Sequence, residues 1–186
     1  MIREYKEVIN SNFNGTVVDI ETIGKFNPNY KRTNDSREYQ YIQQVIFGFI
    51  DKQHLRIFCA EGKEAIPELL VKVEDTIDSL QRPLFAFNSD FERGVLFHQL
   101  GKIIDFEGEL NEERYESKAA AVEKLDIPNY DDPFYDRGRL CMEAWLDENF
   151  DEAIAHNRAC LLKERDILLK RRFRKPDELR FVSQTV

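Results

Sequence analysis

Asp19 and Glu21 stand two residues apart in Gly15-Thr-Val-Val-Asp-Ile-Glu-Thr22, a β-branched run that predicts a strand over 16–21. On a strand, that spacing projects both carboxylates from one face and leaves Val18 and Ile20 on the other. Two anions side by side need a cation. Oxygen ligands at this spacing suit a hard divalent ion such as Mg²⁺ or Mn²⁺. Taken alone, the pair equally describes the solvated face of an edge strand.

Two further stretches carry groups of the same kind. Leu84-Phe-Ala-Phe-Asn-Ser-Asp-Phe-Glu-Arg-Gly-Val-Leu96 places Asp90 and Glu92 at a predicted strand-to-helix junction. Positions 90 and 92 differ by about 200° around a helix, so only one of them can face a given metal. As acids in a first helical turn, both also suit the helix dipole. Ala155-His-Asn-Arg-Ala-Cys-Leu-Leu-Lys-Glu164 sets His156, Cys160 and Glu164 four residues apart, on one helical face. A lone His on such a helix is ordinarily packed or solvated, and a free Cys behaves as a small buried hydrophobe. His54 and His98 have no carboxylate or Cys partner at ligand spacing, and Trp145 and most of the Phe residues belong to the core.

The stretch Val17-Val-Asp-Ile-Glu-Thr-Ile-Gly24 resembles the first motif, D-x-E-T-x-G after an apolar run, of the DnaQ-like (DEDD) 3′–5′ exonuclease superfamily. The segment around Asn88, Phe91 and Leu96 resembles its second motif, N-x-x-F-D-x-x-x-L, with Glu92 at the Asp position. The segment from His156 resembles the Y-N-x-x-D form of its last motif, with His156 at the aromatic position and Cys160 at the Asp position. This resemblance spans about residues 15–172. It implies a ribonuclease-H-like fold and hydrolysis of DNA or RNA phosphodiester bonds from a 3′ end by two metal ions, Mg²⁺ or Mn²⁺. Asp19, Glu21 and Glu92 become metal ligands, His156 orients the attacking water, and Thr22, Asn88 and Phe91 meet the substrate. The partner is then single-stranded nucleic acid or a nucleic-acid 3′ end. Cys160 departs from the pattern, because a thiol is a poor ligand for Mg²⁺. Glu164, one turn on, can reach back to supply the missing carboxylate, with Asp90 the other reserve. The alternative is a catalytically impaired exonuclease-like domain that serves as a nucleic-acid-binding or protein-interaction module.

These groups require elements to position them. Strands are expected over 16–21, 44–50, 54–59 and 83–87, with a short strand or turn near 103–110. The first three form an antiparallel meander, and residues 23–43 form a loop. Helices are expected over 67–80, 90–100, 112–124, 138–147 and 151–173, with a loop through 127–133. The result is a single α/β domain over 1–186. It has a central mixed five-stranded sheet flanked by helices and a helical C-terminal half.

Composition bounds the function from outside. The 186 residues carry a net charge of −8, which excludes broad coating of nucleic acid by a basic surface. The charge is uneven: residues 167–186 hold +4 and the first 166 hold −12, so an acidic body ends in a basic tail at 170–186. That tail suits either a helix end or a phosphate backbone. Neither the phosphate-cradling motifs G-x-x-x-x-G-K-[ST] and G-x-G-x-x-G nor the serine-nucleophile motif G-x-S-x-G is present. Three scattered cysteines read as reduced thiols. With no spanning apolar run and no basic-then-apolar start, the expected location is cytoplasmic, with no membrane partner.

Overall fold

The computed structural model describes residues 1–183, and only the last three positions of the basic tail lie outside it. Six strands form one mixed sheet in the order β1-β4-β3-β2-β5-β6. They are β1 (Ile2–Val8), β2 (Thr16–Gly24), β3 (Ile42–Ile50), β4 (His54–Ala60), β5 (Leu84–Ala86) and β6 (Gly108–Glu109). Five helices join them: α1 (Ile66–Ile77), α2 (Ser89–Leu100), α3 (Lys118–Lys124), α4 (Gly138–Leu146) and α5 (Phe150–Arg171). The α/β class, the meander of β2, β3 and β4, and the late helices match the expectation from sequence.

The sheet has six strands rather than five. The addition, β1, pairs antiparallel with β4 along the edge, from Ile2 opposite Ala60 to Val8 opposite His54. Its Arg, Glu and Lys residues hide the usual apolar alternation, and charge on an edge strand also discourages pairing with another chain. β2 is thereby central. It runs antiparallel to β3 and parallel to β5, so Asp19 and Glu21 sit deep in the sheet rather than on an edge. The loop expected over 23–43 is confined to 25–41, because β2 runs on through Gly24 and β3 begins at Ile42, and it contains two short 3₁₀ turns.

The helix expected over 112–124 begins only at Lys118, because the Ser117 side chain accepts the Ala120 N–H and sets the start there. Upstream, Glu116 receives Arg171 and the Glu112 N–H instead of continuing a helix. The basic tail is no free arm either. After α5 the chain turns back, and Arg174 exchanges both backbone hydrogen bonds with Glu109. Arg180 bridges to the 34–36 loop, with its guanidinium 2.5 Å from the buried Asp35. Arg171 and Arg174 are likewise spent on Glu116, Glu109 and Asp177.

α5 crosses the sheet over β2, β3 and β4. Its close approach depends on Gly48, which pairs with Asp19 across the strands. A Cβ there would lie 2.1 Å from Asn157 Oδ1 and 2.9 Å from Leu161 Cδ1. Trp145, buried on α4, locks the other side by donating its indole N–H to Ala60 O at 2.7 Å. No helix among the described residues is long and apolar enough to cross a membrane. Because α5 has no room to yield, Gly48→Ala is expected to cost about 1–3 kcal/mol in urea unfolding, by overpacking. An unchanged midpoint would show that α5 can move away without penalty.

Candidate metal centre and cleft

The sheet face under α5 opens into a cleft of about 470 Å³. β2 contributes Asp19, Glu21 and Thr22, the start of α2 contributes Asn88, Phe91 and Glu92, and α5 contributes His156 and Cys160. Eight of the ten residues singled out by the sequence thus line one cavity, although they come from three separated stretches. Asp90 does not join them. It is buried against Arg93 at 2.5 Å and Arg114 at 2.7 Å, on another side of α2, as the angular argument required. Glu164 lies behind the cleft wall, fully buried.

Lys118 unites two of these carboxylates. From the first turn of α3 its Nζ donates to Asp19 Oδ1 at 2.9 Å and lies 2.5 Å from Glu164 Oε1. The contact with Glu164 is an ion pair, but its angles do not make a hydrogen bond. Although burial works against it, the charge of Asp19, with those of Cys160 and Glu164, holds the Lys118 ammonium well above its ordinary value. Asp19 Oδ2 receives the Asn157 side-chain N–H at 2.7 Å. Glu92 Oε2 and Glu164 Oε2 have no hydrogen-bond partner. Burial, reinforced by the negative charge of Asp19, pushes both of their carboxyls well above the usual range.

On the other flank of Asp19, His156 is held from behind. Its Nδ1 lies 2.7 Å from Asp132 Oδ1, while Nε2 points toward Glu21 Oε1 at 3.7 Å and Cys160 Sγ at 3.6 Å. Asp132 also accepts the Phe134 and Asp136 backbone N–H groups and the buried Lys163 ammonium. Burial opposes the charged form of Asp132, but the bonds from His156 and Lys163 outweigh it and depress its pKa. Burial likewise opposes the charged imidazole, and the Cys160, Glu21 and Asp132 interactions lift His156 to about 11.

Sequence reasoning missed Lys118, Asp132, Asn157, Lys163 and Cys141. Asn157 alone had a local signal, as the Asn of the Y-N-x-x-D pattern. Lys163 lies on α5 three residues after Cys160, and Lys118, Asp132 and Cys141 reach the site from other loops and helices.

The donor set tests poorly against two hard ions. Mg²⁺ or Mn²⁺ wants open carboxylate oxygens. Here both Asp19 oxygens are engaged, an ammonium lies between Asp19 and Glu164, and a thiol stands where a fourth carboxylate is needed. No family model, curated protein or solved structure matches the chain.

The buried acids predict a pH dependence. Glu92 has a folded pKa above its unfolded value, so the folded state binds an extra proton between the two, and stability falls as pH rises through that interval. Urea unfolding between about pH 5 and pH 8, above the unfolded Glu value near 4.3, is expected to show a shallower loss in Glu92→Gln than in wild type. Equal slopes would place the Glu92 titration outside this window and contradict the burial argument.

Proposed function

We propose that the chain is a ribonuclease-H-like domain, resembling DnaQ-type exonucleases, that holds the 3′ end of a single-stranded nucleic acid without cutting it. The observation that carries this reading is Lys118, whose ammonium compensates Asp19 and Glu164 without a metal. A cavity of about 470 Å³ falls within the ordinary range for small-ligand sites and suits a terminal nucleotide. Phe26, Phe87, Phe91 and Met142 make its apolar wall, and Thr22, Asn88 and Arg139 supply polar contacts. Phe26 is half exposed and leans on Tyr39 and Phe91 with ring centroids 5.9 and 6.0 Å apart, a platform on which a base can stack.

The acidic body and the engaged tail arginines confine this binding to the cleft. Few phosphates are then neutralised, and the salt dependence is shallow. A second reading, a divalent-metal-dependent 3′–5′ exonuclease, draws on the unpartnered oxygens of Glu92 and Glu164, which are buried beside one another's charge and Asp19's.

Fluorescence anisotropy with labelled single-stranded DNA and RNA tests the first reading. Binding is expected to be weakened about tenfold by Phe26→Ala, from the roughly 1–3 kcal/mol that one stacked base contributes. It should also fall when the 3′ hydroxyl is blocked. Absence of binding to either strand would overturn the proposal. The same 5′-labelled strands, incubated with Mg²⁺ or Mn²⁺, are expected to stay intact. A ladder shortening from the 3′ end, absent in Asp19→Asn, would instead establish the exonuclease.

A further inference from the structure

The flank of the cleft that Lys118 does not neutralise gathers two thiols, an imidazole and a carboxylate. Ligand atoms of Glu21, Cys141 and His156 all lie within 4.8 Å of one another, and those of Asp19, Glu21 and Cys160 form a second such group that shares Glu21. His156 Nε2 is 3.6 Å from Cys160 Sγ and 3.7 Å from Glu21 Oε1. For tetrahedral bonds of about 2.0–2.3 Å, the edges joining ligand atoms run to about 3.3–3.8 Å, so the two separations from His156 already suit a shared ion, and the Cys141 and Cys160 side chains close on it from either side. The residues come from β2, α4 and α5 and are fixed by the core: Cys141, His156 and Cys160 are each at most 2% exposed.

The imidazole is also held in the right orientation. Asp132 is an acceptor already saturated by backbone N–H groups and Lys163, so the proton between it and His156 sits on Nδ1. Nε2 faces Glu21 and Cys160, and an ion bound there takes the place of the Nε2 proton. A carboxylate behind a metal-bound His is the usual way of holding such a ligand. Asp19, the remaining acid within reach, is kept out by its bonds to Lys118 and Asn157.

The same atoms could be read as a Cys-His-Asp nucleophile. A reactive thiol needs access and a lowered pKa, whereas Cys160 is 1% exposed and burial pushes it up to about 11. Thiolates and imidazole prefer a borderline-soft ion to Mg²⁺, and such an ion displaces the thiol protons on binding.

We propose that Glu21, Cys141, His156 and Cys160 form one tetrahedral Zn²⁺ site, oriented from behind by Asp132. It pins α4 and α5 to the central strand. The site holds whether or not the cleft takes nucleic acid, and its test uses none, so the two ideas fail separately.

The full-length chain, stripped by a chelator in reducing buffer, is titrated with Co²⁺ as a spectroscopic stand-in. One equivalent is expected to give the intense visible bands of a tetrahedral ion and a near-ultraviolet thiolate band, both removed by Zn²⁺. Cys141→Ser and Cys160→Ser should each lose thiolate intensity and weaken Zn²⁺ at least tenfold. Asp132→Asn should weaken it about 10–100-fold, and Cys59→Ser, at the third cysteine, buried on β4 outside the cluster, should leave it unchanged. X-ray absorption of the Zn²⁺-loaded wild type serves where a Ser variant does not fold: two sulfur and two nitrogen or oxygen neighbours are expected. A folded chain that gives no tetrahedral bands, bands that survive both Ser variants, or a shell without sulfur would overturn the proposal.

Discussion

A carboxylate in the middle of a buried sheet obliges the chain to bring up compensating charge, because an uncompensated buried anion costs several kcal/mol. Asp19 is such a group, and much of the second half of the molecule is arranged around it. Lys118 supplies the charge from α3, and Asn157 on α5 supplies a hydrogen bond to the other oxygen. Gly48 on β3 makes room for that helix. Glu164 then shares the ammonium, so β2, α3 and α5 are tied at one point.

The same constraint divides the cleft chemically. On one side a lysine meets two acids. On the other, Asp132 of the 129–136 loop bridges the buried Lys163 and His156, both on α5, and orients an imidazole beside Glu21 and two thiols. The first side has its own cation and the second has soft donors. A pair of hard ions is poorly served by either.

Remote packing gives the cleft its walls. The segment after α5 returns to bridge β6 and the 34–36 loop, where Arg180 meets the buried Asp35. Arg37, which also pairs with Asp35, with Arg180 assisting, holds that carboxyl well below the usual range against the opposing effect of burial. Arg171, Arg174 and Arg180 of the tail are therefore paired inside the fold, and the half-exposed Phe26 rests on Tyr39 and Phe91 beside the acids.

The sequence by itself determined what local pattern can encode. The β-branched run of β2, its D-x-E spacing, the strand-to-helix junction around Glu92 and the helical face shared by His156, Cys160 and Glu164 were all legible, because period and turn chemistry act over a few residues. The edge strand β1 was not, since its charged residues make sense only once β4 lies beside it. Nor was the start of α3 at Ser117, where a cap and the Arg171–Glu116 pair override helical composition. Only the tertiary structure decided which cation answers Asp19, that Asp90 turns to Arg93 and Arg114, and that Cys141 stands beside Glu21 and His156. Each of these is a contact between residues distant along the chain. Coulombic and hydrogen-bond partners are chosen by distance in space, which a one-dimensional pattern does not contain.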